Sequence, residues 1–123
     1  MKTLFKAILV VEDEDLILDI LTLEFTDAGY SVLGARDGET ALAVLAGSAQ
    51  VDLLFTDIRL PGGLDGWRVA EEARRLRTGL PVIYATGFSA ESPRLVEGAR
   101  FFKKPYVPSA VIAAIQDMGV RVD

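Results

Sequence analysis

Residues 53–63 read LLFTDIRLPGG, and the order in which their chemistry changes decides the fold. VDLLFT (51–56) is a short apolar run of the kind that fills a strand buried on both faces. Asp57 follows at once, placing a carboxylate where the strand stops. LPGGLDGW (60–67) is a turn cluster, and Asp65 is placed to cap a helix over GWRVAEEARRLRTG (66–79). Val69, Ala73 and Leu76 share one face of that helix. Strand, strand-end carboxylate, turn and helix thus follow one another within a single short stretch.

The same alternation runs through the rest of the chain. KAILVVED (6–13) is a β-branched run that predicts a central strand ending in Glu12 and Asp13. DLILDILTLEFTDAGY (15–30) places Leu16, Ile17, Ile20, Leu21 and Leu23 at mostly helical spacing, with Asp13 or Glu14 at the start and Gly29 as the stop. YSVLGA (30–35) is a weaker strand. Asp37 caps a helix through ETALAVLAG (39–47), closed by Gly47. LPVIYAT (80–86) and ARFFK (99–103) are the fourth and fifth strands, and Pro108 suits the first position of a last helix over SAVIAAIQDM (109–118). Only 17 residues separate Thr86 from Lys104, and Pro93 and Gly98 confine any helix between those strands to about one or two turns, so a shortened fourth helix is expected. No linker or internal repeat interrupts the pattern, and residues 1–123 are expected to form one domain.

Composition narrows the functional classes. A net charge of -5 and few clustered cations argue against a nucleic-acid surface, which depends on Lys and Arg displacing counterions. The chain has no cysteine and no histidine, which removes disulfides, thiolate metal sites and the usual neutral-pH base. The longest early apolar run, AILVV, is too short for a membrane span, so a cytoplasmic protein without membrane insertion is expected.

Alternating strands and helices imply a doubly wound parallel α/β sheet with right-handed crossovers. In such sheets ligands bind outside the carboxyl ends of the strands, where strand order reverses. With the flavodoxin-like order 2-1-3-4-5, Glu12, Asp13, Asp57, Thr86 and Lys104 converge on one crevice. Three carboxylates within about 4 Å of one another repel by roughly 4 kcal/mol per pair at an effective dielectric near 20. They call for a cation, and an all-oxygen ligand set suits Mg²⁺ or Mn²⁺. Asp57 is then a candidate nucleophile for a phosphoryl group, Lys104 a point charge for its oxygens and Thr86 a hydroxyl donor.

VVEDE (10–14), LLFTDIRLPGGLDG (53–66), PVIYATG (81–87) and FFKKP (101–105) together resemble the receiver domain of bacterial two-component response regulators, across essentially the whole chain. The resemblance implies that Asp57 accepts a phosphoryl group from a phosphohistidine on a sensor histidine kinase or phosphotransfer protein and thereby switches binding to a downstream protein. It implies Mg²⁺ held by Asp13, Asp57 and the backbone carbonyl of Arg59, with Glu12 acting through water. Lys104 would bridge the acyl phosphate, Thr86 would move toward it, and Phe101 would turn inward to fill the space vacated. No separate turnover substrate is implied.

Some positions depart from the common receiver pattern. Phe101 replaces the frequent tyrosine, PGGLDG carries one glycine more than usual, and YATGF (84–88) is similar to the Phe-Ala-Thr-Gly-aromatic signature of a subgroup of stand-alone receivers. A stand-alone receiver with no effector segment after the last predicted helix is expected, and so is a monomer or weak dimer. Arg59 and Phe88 flank the expected phosphoryl group, where they would limit water access. Three rivals remain: a receiver that binds partners without phosphorylation, a haloacid-dehalogenase-type phosphatase, whose second Asp is here Arg59, and a flavin binder, whose phosphate VVEDED would repel. Arg74, Arg75 and Arg77 read as a solvated face or a partner surface, Lys103 as solvated, and Trp67 as core or surface anchor.

Overall fold

The computed structural model describes residues 5–87 and 94–122. The elements run β1 (Ala7–Val11), α1 (Asp15–Asp27), β2 (Ser31–Ala35), α2 (Gly38–Ala46), β3 (Leu53–Thr56), α3 (Gly66–Leu76), β4 (Val82–Thr86), β5 (Arg100–Lys103) and α4 (Pro108–Asp117). All neighbouring strands are parallel, in the order β2-β1-β3-β4-β5. That is the flavodoxin-like arrangement expected from the sequence, and the order reverses between β1 and β3.

Period-two alternation divides the apolar strand residues between two cores. Leu9, Val11, Leu54, Val82 and Tyr84 face α2 and α3, packing on Ala41, Leu45, Trp67, Val69 and Ala73. Ile8, Val10, Leu53, Phe55, Ile83 and Ala85 face α1 and α4, packing on Leu21, Phe25, Val111 and Ile115. β1, β3 and β4 are buried along their whole length, which is why their sequences show no polar alternation. Asp37 and Asp65 cap α2 and α3 as expected, accepting the Thr40 and Arg68 amides at 2.7 and 2.9 Å, and Pro108 opens α4.

Two local expectations need correction. The buried stripe of α1 is Leu18, Leu21 and Phe25, whereas Leu16, Ile20 and Leu23 face outward. Leu18, Leu21 and Phe25 join the core beneath the sheet, and Leu18 also packs beside the bare backbone of Gly34 on β2. Leu76, at the end of α3, is 47% exposed rather than core. The shortened fourth helix finds no counterpart in residues 94–99, which contain a turn and no helix, and the remainder of that expected segment, 88–93 with Phe88, lies outside the described residues. Among the described residues no helix is long and apolar enough to cross a membrane.

Candidate functional site

Five of the expected site residues sit at or just beyond a strand's carboxyl end. Glu12 and Asp13 follow β1, Asp57 follows β3, Thr86 closes β4 and Lys104 follows β5. Backbone hydrogen bonds extend the sheet by one rung to hold them there. The Glu12 amide donates to Ala35, that of Asp57 to Val11 and that of Lys104 to Thr86, each at 2.9 Å. The placement of these side chains is therefore a consequence of strand register, not of loop conformation.

The Lys104 ammonium bridges two carboxylates, lying 2.8 Å from Asp57 Oδ2 and 2.9 Å from Glu12 Oε1. The opposite oxygen of Asp57 accepts the Ile58 amide at 2.6 Å, and that of Glu12 accepts the Glu14 amide at 3.3 Å. Glu12, Asp57 and Thr86 are buried, while Asp13 is exposed. Burial raises the Glu12 pKa, and the nearby Asp57 charge adds to this, against the hydrogen bonds from Lys104 and the Glu14 amide. For Lys104 burial acts downward, but the hydrogen bonds and charges of Asp57 and Glu12 prevail and raise its pKa.

One oxygen each of Glu12, Asp13 and Asp57 can be chosen so that all lie within 4.8 Å of one another. Three carboxylates so close, with a single bridging ammonium, retain an excess of negative charge, and their hard oxygens fit a divalent cation. Asp13 and Asp57 border a cavity of about 560 Å³ that Glu14, Arg59, Thr86, Gly87 and Lys104 also line. Phe101 stands apart from this lining, partly exposed on edge strand β5 and stacked on Trp67 with ring centroids 6.4 Å apart.

Known proteins share this fold. A model of the response regulator receiver domain matches residues 8–116. The chain belongs to the response regulator receiver domain family. The alkaline phosphatase synthesis transcriptional regulatory protein PhoP of Bacillus subtilis is 34% identical over 115 residues, 90% of this chain and 47% of that protein. The transcriptional regulatory protein GlrR of Escherichia coli is 33% identical over 115 residues, 89% of this chain and 25% of that protein. The chain thus spans half or less of these curated relatives. Among solved structures, a response regulator receiver protein from Sinorhizobium medicae matches with a TM-score of 0.88 and 30% identity, covering 93% of this chain and 94% of that one. A CheY-like receiver domain protein from Methanospirillum hungatei matches with a TM-score of 0.81 and 29% identity, covering 92% of each chain. The receiver's phosphoacceptor fold is therefore present together with an acidic cluster of the kind that serves Mg²⁺-dependent aspartyl phosphorylation.

Several residues with no distinctive sequence signal also shape this receiver site. Thr56, read only as the strand's last residue, donates its hydroxyl to the Asp57 carbonyl at 2.8 Å. Gly66, read only as the start of a helix, is required sterically, because a Cβ there would lie 2.0 Å from the Asp57 carbonyl oxygen. Tyr106 lies close enough that Lys104, Glu12 and Asp57 all act on its phenol, whose pKa burial pushes up to about 12. Two of the three arginines in the basic run are anchored to main-chain carbonyls. Arg74 donates to the Leu80 and Glu97 carbonyls, Arg77 to those of Leu45, Gly47 and Ala49, and Arg75 pairs with Glu72. Trp67 is core, and Lys103 is exposed.

Proposed function

We propose that this receiver takes a phosphoryl group onto Asp57 from the phosphohistidine of a sensor histidine kinase or phosphotransfer protein, and that the acyl phosphate switches its binding to a downstream protein. The observation that carries this reading is the Lys104 ammonium held between Asp57 and Glu12 inside the acidic cluster. A carboxylate oxygen of Asp57 attacks phosphorus and forms the new P–O bond. The P–N bond breaks, and its electron pair returns to the imidazole nitrogen. Lys104 stays on the phosphoryl oxygens as a fixed positive charge, and Thr86 supplies a hydroxyl donor, so that positioning and electrostatics carry the reaction. Asp13, Asp57 and the Arg59 carbonyl are the residues that would hold Mg²⁺, with Glu12 acting through water, and the ion would neutralise charge on the transferred group. Mn²⁺ meets the same ligand requirements.

An apolar groove of about 460 Å³ adjoins the cavity. Ile17, Ile20, Leu21, Pro105, Tyr106 and Pro108 line it, and Lys104 belongs to both lining sets. The outward Leu16 and Leu23 of α1 extend its apolar character. Continuity with the acceptor carboxylate favours the phosphohistidine-bearing protein as its occupant. Phosphorylation would draw Thr86 toward the phosphoryl oxygens and let Phe101 leave its exposed position for the interior.

Incubation with Mg²⁺ and acetyl phosphate tests the reading. One acid-stable, base-labile phosphate per chain is expected, absent without the metal and absent in Asp57→Asn. Steady release of phosphate from diverse monoesters would favour a phosphatase instead, and no labelling together with no binding of beryllofluoride would favour a phosphorylation-independent binding module.

A further inference from the structure

Trp67, the chain's only tryptophan, stands where two limbs of the site meet. The first limb is the phosphoacceptor loop. Gly66, its neighbour, donates its amide to the Ile58 carbonyl at 2.7 Å, and its Cα is pressed so closely on the Asp57 carbonyl that no larger residue fits. The second limb is aromatic. The Trp67 ring lies 4.9 Å from that of Tyr84 and stacks at 19° on that of Phe101. Tyr84 sits two residues before Thr86, on the same face of β4. Asp57, through Gly66, and Thr86, through Tyr84, thus each lie one residue's packing away from the same indole.

The residues after β4 are tied to the same helix. The Tyr84 hydroxyl accepts the Val96 amide at 3.1 Å, Arg74 of α3 donates to the Glu97 carbonyl at 2.7 Å, and Arg94 pairs with both carboxylate oxygens of Glu71 at 2.9 and 3.0 Å. Trp67 is 6% exposed and Phe101 36% exposed. Phe101 therefore lies on the solvent side of the stack, and its departure would uncover the indole.

We propose that Trp67 is the positioning residue of the switch. Its ring holds Phe101 outward in the resting state, and the loss of that stack passes phosphorylation into α3 and residues 94–97. The inference rests on the phosphoacceptor reading above. A contact made in one state only biases the equilibrium against the other, so the Trp67–Phe101 stack must weaken binding of a phosphoryl mimic. At the strength typical of aromatic pairs, that bias is about threefold to tenfold.

The test titrates the intact chain with Mg²⁺ alone and then with beryllofluoride, following tryptophan emission, with fluorine NMR reporting occupancy of the site. Emission is expected to change on beryllofluoride binding beyond any effect of Mg²⁺, with the same midpoint as the NMR signal. In Phe101→Leu the change should shrink at full occupancy, and Trp67→Leu should bind beryllofluoride about threefold to tenfold more tightly. A filled site with silent tryptophan emission overturns the proposal and leaves the phosphoacceptor reading standing, as does an emission change that Mg²⁺ completes before beryllofluoride is added. Unchanged or weaker beryllofluoride binding by folded Trp67→Leu also overturns it. No occupancy at all removes the phosphoacceptor reading and this inference with it.

Discussion

Lys104 and Glu12 lie 92 positions apart in sequence, yet their ammonium and carboxylate meet at 2.9 Å with the glutamate side chain only 3% exposed. The same ammonium serves Asp57, so one cation offsets two enclosed anions. Lys104→Met leaves both carboxylates without their ion pair. The expected loss is about 3 kcal/mol, the low end for breaking a buried pair because the lysine side chain keeps some contact with solvent. Chemical denaturation in EDTA measures that loss. Mg²⁺ should recover more stability in the variant than in the wild type, since the acidic cluster then faces the metal with one positive charge fewer. Equal Mg²⁺ stabilisation of the two proteins would contradict this electrostatic account.

Glu12 gives the metal-free protein a specific pH dependence. Its folded pKa lies above the ordinary 4.5 because burial penalises the anion more than its hydrogen bonds support it. A raised carboxyl pKa means that the folded state binds the proton more tightly. The associated stability is present below about pH 4.5 and is lost as pH rises through the folded value. Glu12→Gln removes the charge while keeping the shape. In EDTA the variant should match the wild type near pH 4 and melt at a higher temperature at pH 7. Saturating Mg²⁺ should narrow that gap. A lower melting temperature for the variant at pH 7 would show that the Lys104 ion pair outweighs burial.

Gly66 offers a steric test. An added Cβ would meet backbone atoms of Asp57 and Ile58, none of which can swing aside as a side-chain tip would. Gly66→Ala is expected to cost about 3 kcal/mol, the upper end for overpacking, and to slow labelling by acetyl phosphate because the acceptor loop must shift. Gly63→Ala is the control, since its Cβ would meet nothing nearer than a Glu39 carboxylate oxygen at 3.9 Å. Thermal unfolding and labelling rates of the two variants separate local crowding from a general effect of altering this loop.

The alternation of buried runs with capped helices made the parallel sheet legible, and the polar residues closing the strands made the crevice legible once the order 2-1-3-4-5 was supposed. Both depend on periodicity and on position along the chain, which one sequence records. The burial register of α1 was hidden because Leu16, Ile17, Leu18, Ile20, Leu21 and Leu23 surround the helix with apolar side chains. Only packing against the sheet and α4 chooses among them. The duties of Arg74 and Arg77 were hidden for a different reason. Their acceptors are main-chain carbonyls, which carry no residue-type signal. The same holds for Thr56, whose hydroxyl partner is the peptide that follows it.

That hydroxyl yields the most discriminating substitution at the site. Thr56 is fully buried, and its donation at 2.8 Å to the Asp57 carbonyl ties the acceptor's main chain to the end of β3. Thr56→Val keeps the volume and deletes the donor, so a loss of about 1–3 kcal/mol is expected from the unpaired carbonyl. Thr56→Ser keeps the donor and gives up a methyl group, at about 1 kcal/mol. If the hydroxyl positions Asp57, labelling by acetyl phosphate at saturating Mg²⁺ should slow severalfold in the valine variant and recover in the serine variant. Both proteins must be compared at a temperature where each is fully folded. Equal labelling rates in the valine variant and the wild type would confine Thr56 to stability, because a carboxylate that had shifted from the Lys104 ammonium could not keep its reactivity.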